Sequence, residues 1–276
     1  MADSTASPAS LEARFPRAPS LSALVVARNE EARLGPCLDR LAFADEIVVL
    51  LDRTTDASAA IARAYRARVV EGAWVDEPAR RNAGIENCTG DWVLEVDCDE
   101  WVTEALAAEI RAALATARDG YFIVPMANHI GERLVRHGWG AYNGIGAKPI
   151  LFRRGMKKWG KGRVHPPLDL QGERQRLAEP MLHFVYRDLS DMLARLDRYT
   201  DLAAQDAIES GAPMRLSTAL RRMLSRAWKS LVARRGYREG AYGVALALYS
   251  ALYPMLIYLK VRIPAARPGQ EGEPRA

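Results

Sequence analysis

The stretch Thr89–Glu100, TGDWVLEVDCDE, decides the fold. Asp91–Val96 (DWVLEV) is a short apolar run bounded by Thr89-Gly90 and by acidic residues, the pattern of a strand buried in a sheet. Asp97-Cys98-Asp99-Glu100 then falls at its carboxyl end. In a parallel α/β sheet the ligand sits beyond the carboxyl ends of the strands, so these acids are expected to project into a cleft. Residues two apart on an extended chain point the same way. Two carboxylates so placed can hold a hard divalent cation, Mg²⁺ or Mn²⁺, that bridges a diphosphate. A bare D-x-D is more often an Asp-rich surface turn; here the strand before it and the segments around it favour the cation site.

Working outward, Leu21–Ala27 (LSALVVA) and Glu46–Leu51 (EIVVLL) read as buried strands, Val69–Glu71 as a short third and Tyr121–Met126 (YFIVPM) as a fifth. Between them lie helical patterns: Leu34, Leu38 and Leu41 after a cap at Asn29, a helix through Ala67 capped by Thr55 or Asp56, Pro78–Asn87, and Glu104–Ala115 capped by Thr103. Strands alternating with helices of this length call for βαβ units, hence an α/β fold with a mainly parallel sheet. After Met126 the rhythm changes. Ile130–Trp139 reads as a hairpin turning at Gly131, and Ile150–Phe152 and Leu168–Leu170 as further short strands. From Ser190 the chain turns helical, with a basic helix Met214–Arg235 and then Ala241–Leu259, which carries no charge. These patterns divide the chain into a disordered leader (1–20), a catalytic domain (21–187), a helical appendage (188–262) and a disordered tail (263–276).

Composition narrows the class. In 276 residues, 49% hydrophobic and 26% charged residues exclude a disordered or fibrous chain. The net charge of +5 is uneven: Arg215, Arg221, Arg222, Arg226, Lys229, Arg234, Arg235 and Arg238 follow one another with no acid before Glu239. Such an excess points to an anionic partner, a phospholipid surface or a nucleic acid. Cys37, Cys88 and Cys98 have no metal-ligand spacing and fit a reducing compartment. The first twenty residues lack the apolar core of a secretory signal. Ala241–Leu259 has nearly the length of a membrane span, but Gly243, Tyr249, Ser250 and Pro254 interrupt it. With the arginines before it, it is expected to lie in or dip into an anionic membrane interface; the alternative is a core helix. The expected location is the cytoplasm, peripheral to the inner face of the membrane.

Several segments together resemble the family 2 glycosyltransferases: Leu21–Glu30 (LSALVVARNE), Glu46–Asp56 (EIVVLLDRTTD), Arg81–Ile85 (RNAGI) and Thr89–Glu100, in this order and near the family's spacing. Leu151–Gly155 (LFRRG), Val164–His165 and Met181–Tyr199 (MLHFVYRDLSDMLARLDRY) are similar to the branch of the lipopolysaccharide-core glucosyltransferases. The resemblance implies a nucleotide-diphospho-sugar transferase (GT-A type) fold, an inverting mechanism, a UDP-sugar donor and a glycolipid acceptor of the cell envelope. By that analogy Ala27, Asn29 and Glu30 line the nucleoside pocket, Arg81 and Asn82 approach the base or the phosphates, and Asp97 and Asp99 hold sugar and metal. Two departures matter. Leu51 falls where the family's base-contacting Asp often sits, so Asp52 is expected to take over from the next position. His165 is followed by Pro166 where the branch often has Glu, which leaves His165, Asp169 and, less favourably, Glu100 as candidates for the general base.

Other residues carry weaker expectations. Glu95, inside an apolar strand, should find an Arg or face the cleft, with structural pairing favoured over catalysis. His183 reads as a hydrogen-bonded core residue, and His129 and His137 as loop or hairpin residues. Trp139 and Tyr142 can stack on a sugar or pack beneath a loop, and Arg153, Arg154, Lys157 and Lys158 form a basic turn. Two rival readings are a sugar nucleotidyltransferase, which needs a Gly-rich G-x-G-T-R loop where this chain has ARNEE, and a basic nucleic-acid-binding protein. The latter leaves the D-x-D unexplained and lacks interleaved aromatics apart from Trp228 and Tyr237.

Overall fold

Runs of Val, Ile and Leu flanked by turn-formers become the central strands. In the computed structural model, which describes residues 18–140, 144–160, 167–211 and 214–263, these are β1 (Leu21–Ala27), β2 (Glu46–Asp52), β3 (Arg68–Gly72) and β4 (Trp92–Val96). They pair in parallel in the order β3-β2-β1-β4, with Val25 opposite Val49 on one side and Val96 on the other. Later come β5 (Glu100–Trp101), β6 (Gly120–Ile130), β7 (Arg133–Leu134) and β8 (Ala147–Arg153). Strand β8 lies antiparallel between β4 and β6, so the sheet is mixed on this side. β9 (Lys157–Trp159) and β10 (Leu168–Leu170) form a separate two-stranded ladder, followed by β11 (Glu173–Arg176) and β12 (Met181–Tyr186).

Four helices follow the parallel strands: α1 (Glu31–Leu38), α2 (Ser58–Ala64), α3 (Glu77–Asn87) and α4 (Glu104–Leu114). Asp76 caps α3 by accepting from Ala79 N–H at 2.8 Å, and Thr103 caps α4 by accepting from Leu106 N–H at 3.1 Å. One face of the sheet buries Val25, Val49, Leu51, Trp92 and Leu94 against Leu34, Leu38, Leu106 and Ile110 of these helices. The other face packs Leu24, Val48, Val93 and Phe152 with Ile85 of α3. Gly84 allows that approach, since a Cβ there would come within 2.9 Å of the Leu24 side chain.

The expected cap at Asn29 is corrected, and of the two alternatives Thr55 and Asp56 it is Asp56 that bonds the start of α2. Asn29 has a left-handed backbone (φ 54°), and α1 begins after Glu30 with no side-chain cap of its own. Helix α2 starts at Ser58 and stops at Ala64, three residues short of the expected end. Asp56 serves both helices, accepting from Ser58 N–H at 3.0 Å and from Glu31 N–H at 2.9 Å. The fifth expected strand runs well past Met126, to Ile130.

At the opposite end of the sheet Glu46 accepts from Ser22 Oγ and from Thr89 N–H (2.9 Å) and Oγ1 (3.0 Å). Burial alone would raise its carboxyl, but these bonds and the charge of Arg68 hold it below the ordinary value. A lowered folded pKa contributes stability above the unfolded value that is lost as pH falls through the folded one. Glu46→Gln should therefore cost about 1–2 kcal/mol at pH 7. The difference from wild type should shrink towards nothing near pH 3, read from urea midpoints at both pH values.

The chain divides into two compact units, Met1–Met126 with Ala147–Leu182 and Ala127–Gly146 with His183–Ala276. The expected boundary at 187 thus differs from the observed one, because 127–146 groups with the helices. The second unit contains α5 (Leu189–Glu209), capped by Asp188, then α6 (Leu216–Trp228), a π-helical turn Lys229–Ala233, and α7 (Ala241–Arg262). The expected single basic helix ends at Trp228. Its core joins Val135, Val185, Tyr186, Met192 and Leu196 to Leu246, Tyr249 and Tyr253 of α7. Trp139 is a packing residue here: its Nε1 donates to the Val135 carbonyl at 2.6 Å and its ring stacks on Tyr186. His183 Nδ1 lies 2.8 Å from Asn128 Oδ1, as expected of a hydrogen-bonded core residue, and His129 stacks on Phe184. Residues 1–17 and 264–276, on which most of the leader and tail expectations fall, and Tyr142 lie outside the described residues.

Candidate active site

The site grows from the end of β4. Every position of that strand is buried, and its one carboxylate, Glu95, is 2% exposed. Burying it without a partner would be costly. Lys157 of β9, itself buried, pairs with Glu95 and donates to the Pro149 carbonyl at 2.9 Å. Trp159 Nε1 donates to Glu95 at 3.1 Å, and Arg81 Nη1 lies 3.8 Å away. Glu95 is thus a paired structural carboxylate. Lys157, expected in an exposed basic turn, is its buried counter-ion; burial pulls its ammonium below the usual lysine range, opposed by Glu95. Arg153 of the same turn pairs with Asp119 at 2.9 Å.

Two residues past Glu95, Asp97 accepts from Arg81 Nη2 at 2.9 Å on one oxygen and from Lys148 Nζ at 3.3 Å on the other. Arg81 projects from α3, held by Glu77 one turn earlier (2.9 Å) and stacked 5.0 Å over the Trp159 ring. Lys148, on β8, also pairs with Glu100, whose second oxygen accepts from Asp97 N–H at 3.1 Å. Burial pushes the Glu100 carboxyl up to about 7 despite the pull of Lys148. Burial would lower Lys148, but Glu100 and Asp97 outweigh it and hold the ammonium above its usual range. Asp99 meets Arg33 of α1 at 3.9 Å.

The expectation that Asp97 and Asp99 lie side by side on an extended chain is corrected. Asp97–Glu100 is a tight turn closed by Glu100 N–H donating to the Asp97 carbonyl at 2.8 Å, and different cations engage the two carboxylates. Among the described residues no group of three or more His, Cys, Asp or Glu side chains is arranged to hold a metal. Mg²⁺ and its relatives commonly rest on one or two carboxylates while substrate phosphates and water complete the shell. Asp97 and Asp99 fit that role, and not that of an ion held by protein ligands alone.

The loops after β1 and β2 form a neighbouring wall. Asn29 Oδ1 accepts from Thr55 N–H at 2.8 Å, Glu30 N–H donates to Ser58 Oγ at 3.1 Å, and Glu31 accepts from Ala57 N–H at 2.9 Å while Asp56 accepts from Glu31 N–H. Ala27 is buried, so it has only backbone to offer. Asp52 is buried too: it accepts from Arg53 at 3.0 and 3.1 Å and from Trp74 N–H at 3.2 Å, with Arg80 3.6 Å away. Burial would raise its carboxyl, but these bonds and the Arg53 and Arg80 charges hold it below the usual range. Beside it, Arg80 Nε and Thr54 Oγ1 are buried with no hydrogen-bond partner among the described residues. Buried polar atoms left without partners are rare and mark places where a polar ligand can complete the bonding.

Other expectations fare differently. The Asn82 amide exchanges two 2.9 Å hydrogen bonds with the Trp159 backbone and fixes β9 against α3. Glu100 is 1% exposed, pairs with Lys148 and accepts from Asp97 N–H, bonds that orient the turn. Asp169 is exposed on β10, opposite Lys158. His165 lies outside the described residues. Sequence reasoning missed Lys148, Trp159, Arg33, Arg80 and Thr54. Arg80 lay next to Arg81, Thr54 inside the segment Glu46–Asp56, Trp159 next to Lys158 and Arg33 next to Leu34, but nothing in the sequence marked them as site residues.

Comparison with known proteins agrees with this arrangement. The profile of the family described as Glycosyl transferase family 2 matches residues 22–167, just over half of the chain, from β1 to the start of β10. The lipopolysaccharide core biosynthesis glycosyltransferase LpsC of Rhizobium meliloti is 28% identical over 215 residues, 71% of this chain and 74% of that one. An uncharacterized glycosyltransferase of Rickettsia conorii is 22% identical over 253 residues, 88% and 89% of the two chains. Glucosyl-3-phosphoglycerate synthase from Mycobacterium tuberculosis, solved with Mn²⁺, UDP-glucose and phosphoglyceric acid, superposes with a TM-score of 0.35 and 23% identity, covering 46% of this chain and 50% of that chain. The profile match spans the parallel strands and the acidic turn after β4 and identifies a glycosyltransferase, not a nucleotidyltransferase. With its nucleotide-diphospho-sugar transferase fold of the GT-A type, this chain belongs to the family 2 glycosyltransferases.

Proposed function

We propose that this glycosyltransferase is metal-dependent and inverting, moving a hexose-like sugar from a UDP-sugar to a glycolipid acceptor in lipopolysaccharide-type envelope synthesis, at the cytoplasmic face of an anionic membrane. The acceptor class is supported by the relative named for lipopolysaccharide core biosynthesis. The observation that carries the donor chemistry is the turn after β4, where Asp97 and Asp99 lie among the cations Arg81, Lys148 and Arg33.

In this reaction the acceptor hydroxyl attacks the anomeric carbon from the face opposite the diphosphate. The bond from that carbon to the phosphate oxygen breaks, and its electron pair leaves with the nucleoside diphosphate. Asp97 and Asp99 would hold a divalent cation, which when bound would offer Lewis-acid neutralisation of that leaving charge. Arg81 and Lys148 are fixed charges already oriented by Glu77, Glu95 and Glu100, so they need no reorganisation as charge develops. Asp52, Thr54 and Arg80 receive the nucleoside portion. The acceptor proton goes to a base on the opposite face. His165 is the first candidate, since an imidazole near its reference pKa of about 6.5 is largely neutral at pH 7; Asp169 is the second.

Nucleotide sugars screened by thermal shift test this reading. With Mn²⁺ present, one UDP-sugar at about 100 times its dissociation constant should add roughly 2.7 kcal/mol, or about 5–10 °C in Tm. Excess EDTA should abolish the shift. No shift from any nucleotide sugar, with or without the metal, overturns the proposal.

A further inference from the structure

Helix α6 buries very little. Within it only Ala219 is fully covered, and in the π-helical turn that follows, Ser230, whose Oγ donates to the Gly138 carbonyl at 2.6 Å. Away from that strip lie Leu216, Leu220, Leu224 and Trp228, 47%, 41%, 66% and 64% exposed, and beyond them Val232 at 38%. Residues four apart on a helix stand nearly above one another, so the first four make a ridge about 18 Å long. A soluble helix normally turns its large apolar residues inward; this one turns them out.

The charges beside the ridge say what covers it. Arg215, Arg221, Arg222, Lys229, Arg234, Arg235 and Arg238 are all exposed, and no Asp or Glu occurs from Ser210 to Arg238. A protein partner of ordinary composition does not call for so uniform a sign. A layer of anionic headgroups over hydrocarbon does: cationic side chains sit at the phosphates while the apolar ridge sinks between the chains, with Trp at the boundary.

The more apolar helix is packed too well within its unit to span. Helix α7 is long and apolar enough to cross a bilayer by length and composition. Yet Leu246, Tyr249 and Tyr253 are core residues of its unit, and Tyr249 packs its ring 5.7 Å from Tyr186. A Cβ on Gly243 would overlap the Gly236 carbonyl, and Lys260 pairs with Asp197 and Asp201 of α5 at 2.6 and 2.7 Å. Spanning would break all of these contacts. These contacts give Ala241–Leu259 a structural role within its unit, and the expected interfacial contact of this segment falls to its exposed row Val244, Leu248 and Leu252.

We propose that the ridge Leu216–Leu220–Leu224–Trp228, with its flanking arginines, is the membrane-docking face, lying in the plane of an anionic bilayer. This rests on the proposed membrane-bound acceptor and adds the surface that meets the membrane. The test is co-sedimentation of the full chain with vesicles of phosphatidylcholine and phosphatidylglycerol (7:3) or of phosphatidylcholine alone, in 50 mM and 500 mM salt. Binding is expected on the anionic vesicles, weakening at high salt. Leu224→Glu with Trp228→Glu should reduce partitioning at least tenfold, and Arg221→Gln with Arg222→Gln should reduce it on anionic vesicles only. Both variants, altered at exposed positions, should keep the Tm and the nucleotide-sugar shift of wild type. No binding of the wild type to anionic vesicles at low salt overturns the proposal, as does undiminished binding of the Leu224/Trp228 variant. A concentration-dependent dimer that the same variant abolishes overturns it too, assigning the ridge to a second copy of the chain. Vesicle binding without any nucleotide-sugar binding would sink the proposed reaction and leave the docking face standing.

Discussion

Replacing Asp99 by Ala is expected to lower kcat by about 10³-fold, the scale of one preorganised electrostatic group acting on developing charge. Asp99 contributes little to folding, because its partner Arg33 is 3.9 Å away and both side chains are partly solvated. The variant should therefore unfold within about 1 kcal/mol of wild type. Mn²⁺ binding, followed by electron paramagnetic resonance in the presence of a UDP-sugar, should weaken in parallel with turnover. Asp97→Asn is expected to be as inactive and also less stable, since it leaves Arg81 and Lys148 sharing one fewer counter-charge. Full activity of Asp99→Ala, or of the wild type in excess EDTA, would remove the metal from the reaction.

The second large effect is on stability. Glu95→Leu strands the buried Lys157 ammonium and takes an acceptor from Trp159. Breaking a buried pair by removing one partner costs about 3–5 kcal/mol, while replacing both by apolar groups of similar volume is often neutral. Glu95→Leu with Lys157→Met should thus recover most of what Glu95→Leu loses, in urea unfolding at pH 7. A single variant within about 1 kcal/mol of wild type would mean that Lys157 escapes to water. Because Arg81 also leans on Glu95, the rescued double variant should still turn over more slowly than wild type.

The parallel half of the fold was legible because each strand is a short apolar run ending at a turn-former, and Thr103 and Pro78 marked helix starts by local chemistry alone. For α2 the cap Asp56 could be named but the helix length could not, and no spacing rule records the second bond by which Asp56 also holds Glu31 of α1. The acidic turn could be located from the strand before it, but its conformation could not. Glu100 N–H bonding back to Asp97 rotates the carboxylates out of the extended alternation on which the reading relied. The cations were the hardest part. Lys148 and Lys157 arrive about fifty and sixty residues after the acids they meet, one on β8, an antiparallel addition to the parallel sheet, the other on β9 of a separate two-stranded ladder. In the sequence Lys157 looked like any surface lysine in a basic run. Only the burial of Glu95 implied that some cation had to be there, and it did not say which.

The bonds between the loops after β1 and β2 bear on how fast the enzyme can work. Asn29, Glu30, Glu31, Thr55, Asp56 and Ser58 already hold one another, so the wall assigned to the nucleoside has little freedom left to lose when a donor arrives. Capture at a preformed wall is limited by encounter and orientation, and not by waiting for a loop to fold. In the proposed nucleoside role such a wall would not reshape itself for a larger or smaller base, and nucleotide preference would be set before the sugar is inspected. Any search through sugars and acceptors then falls to parts of the protein that this clasp does not tie down.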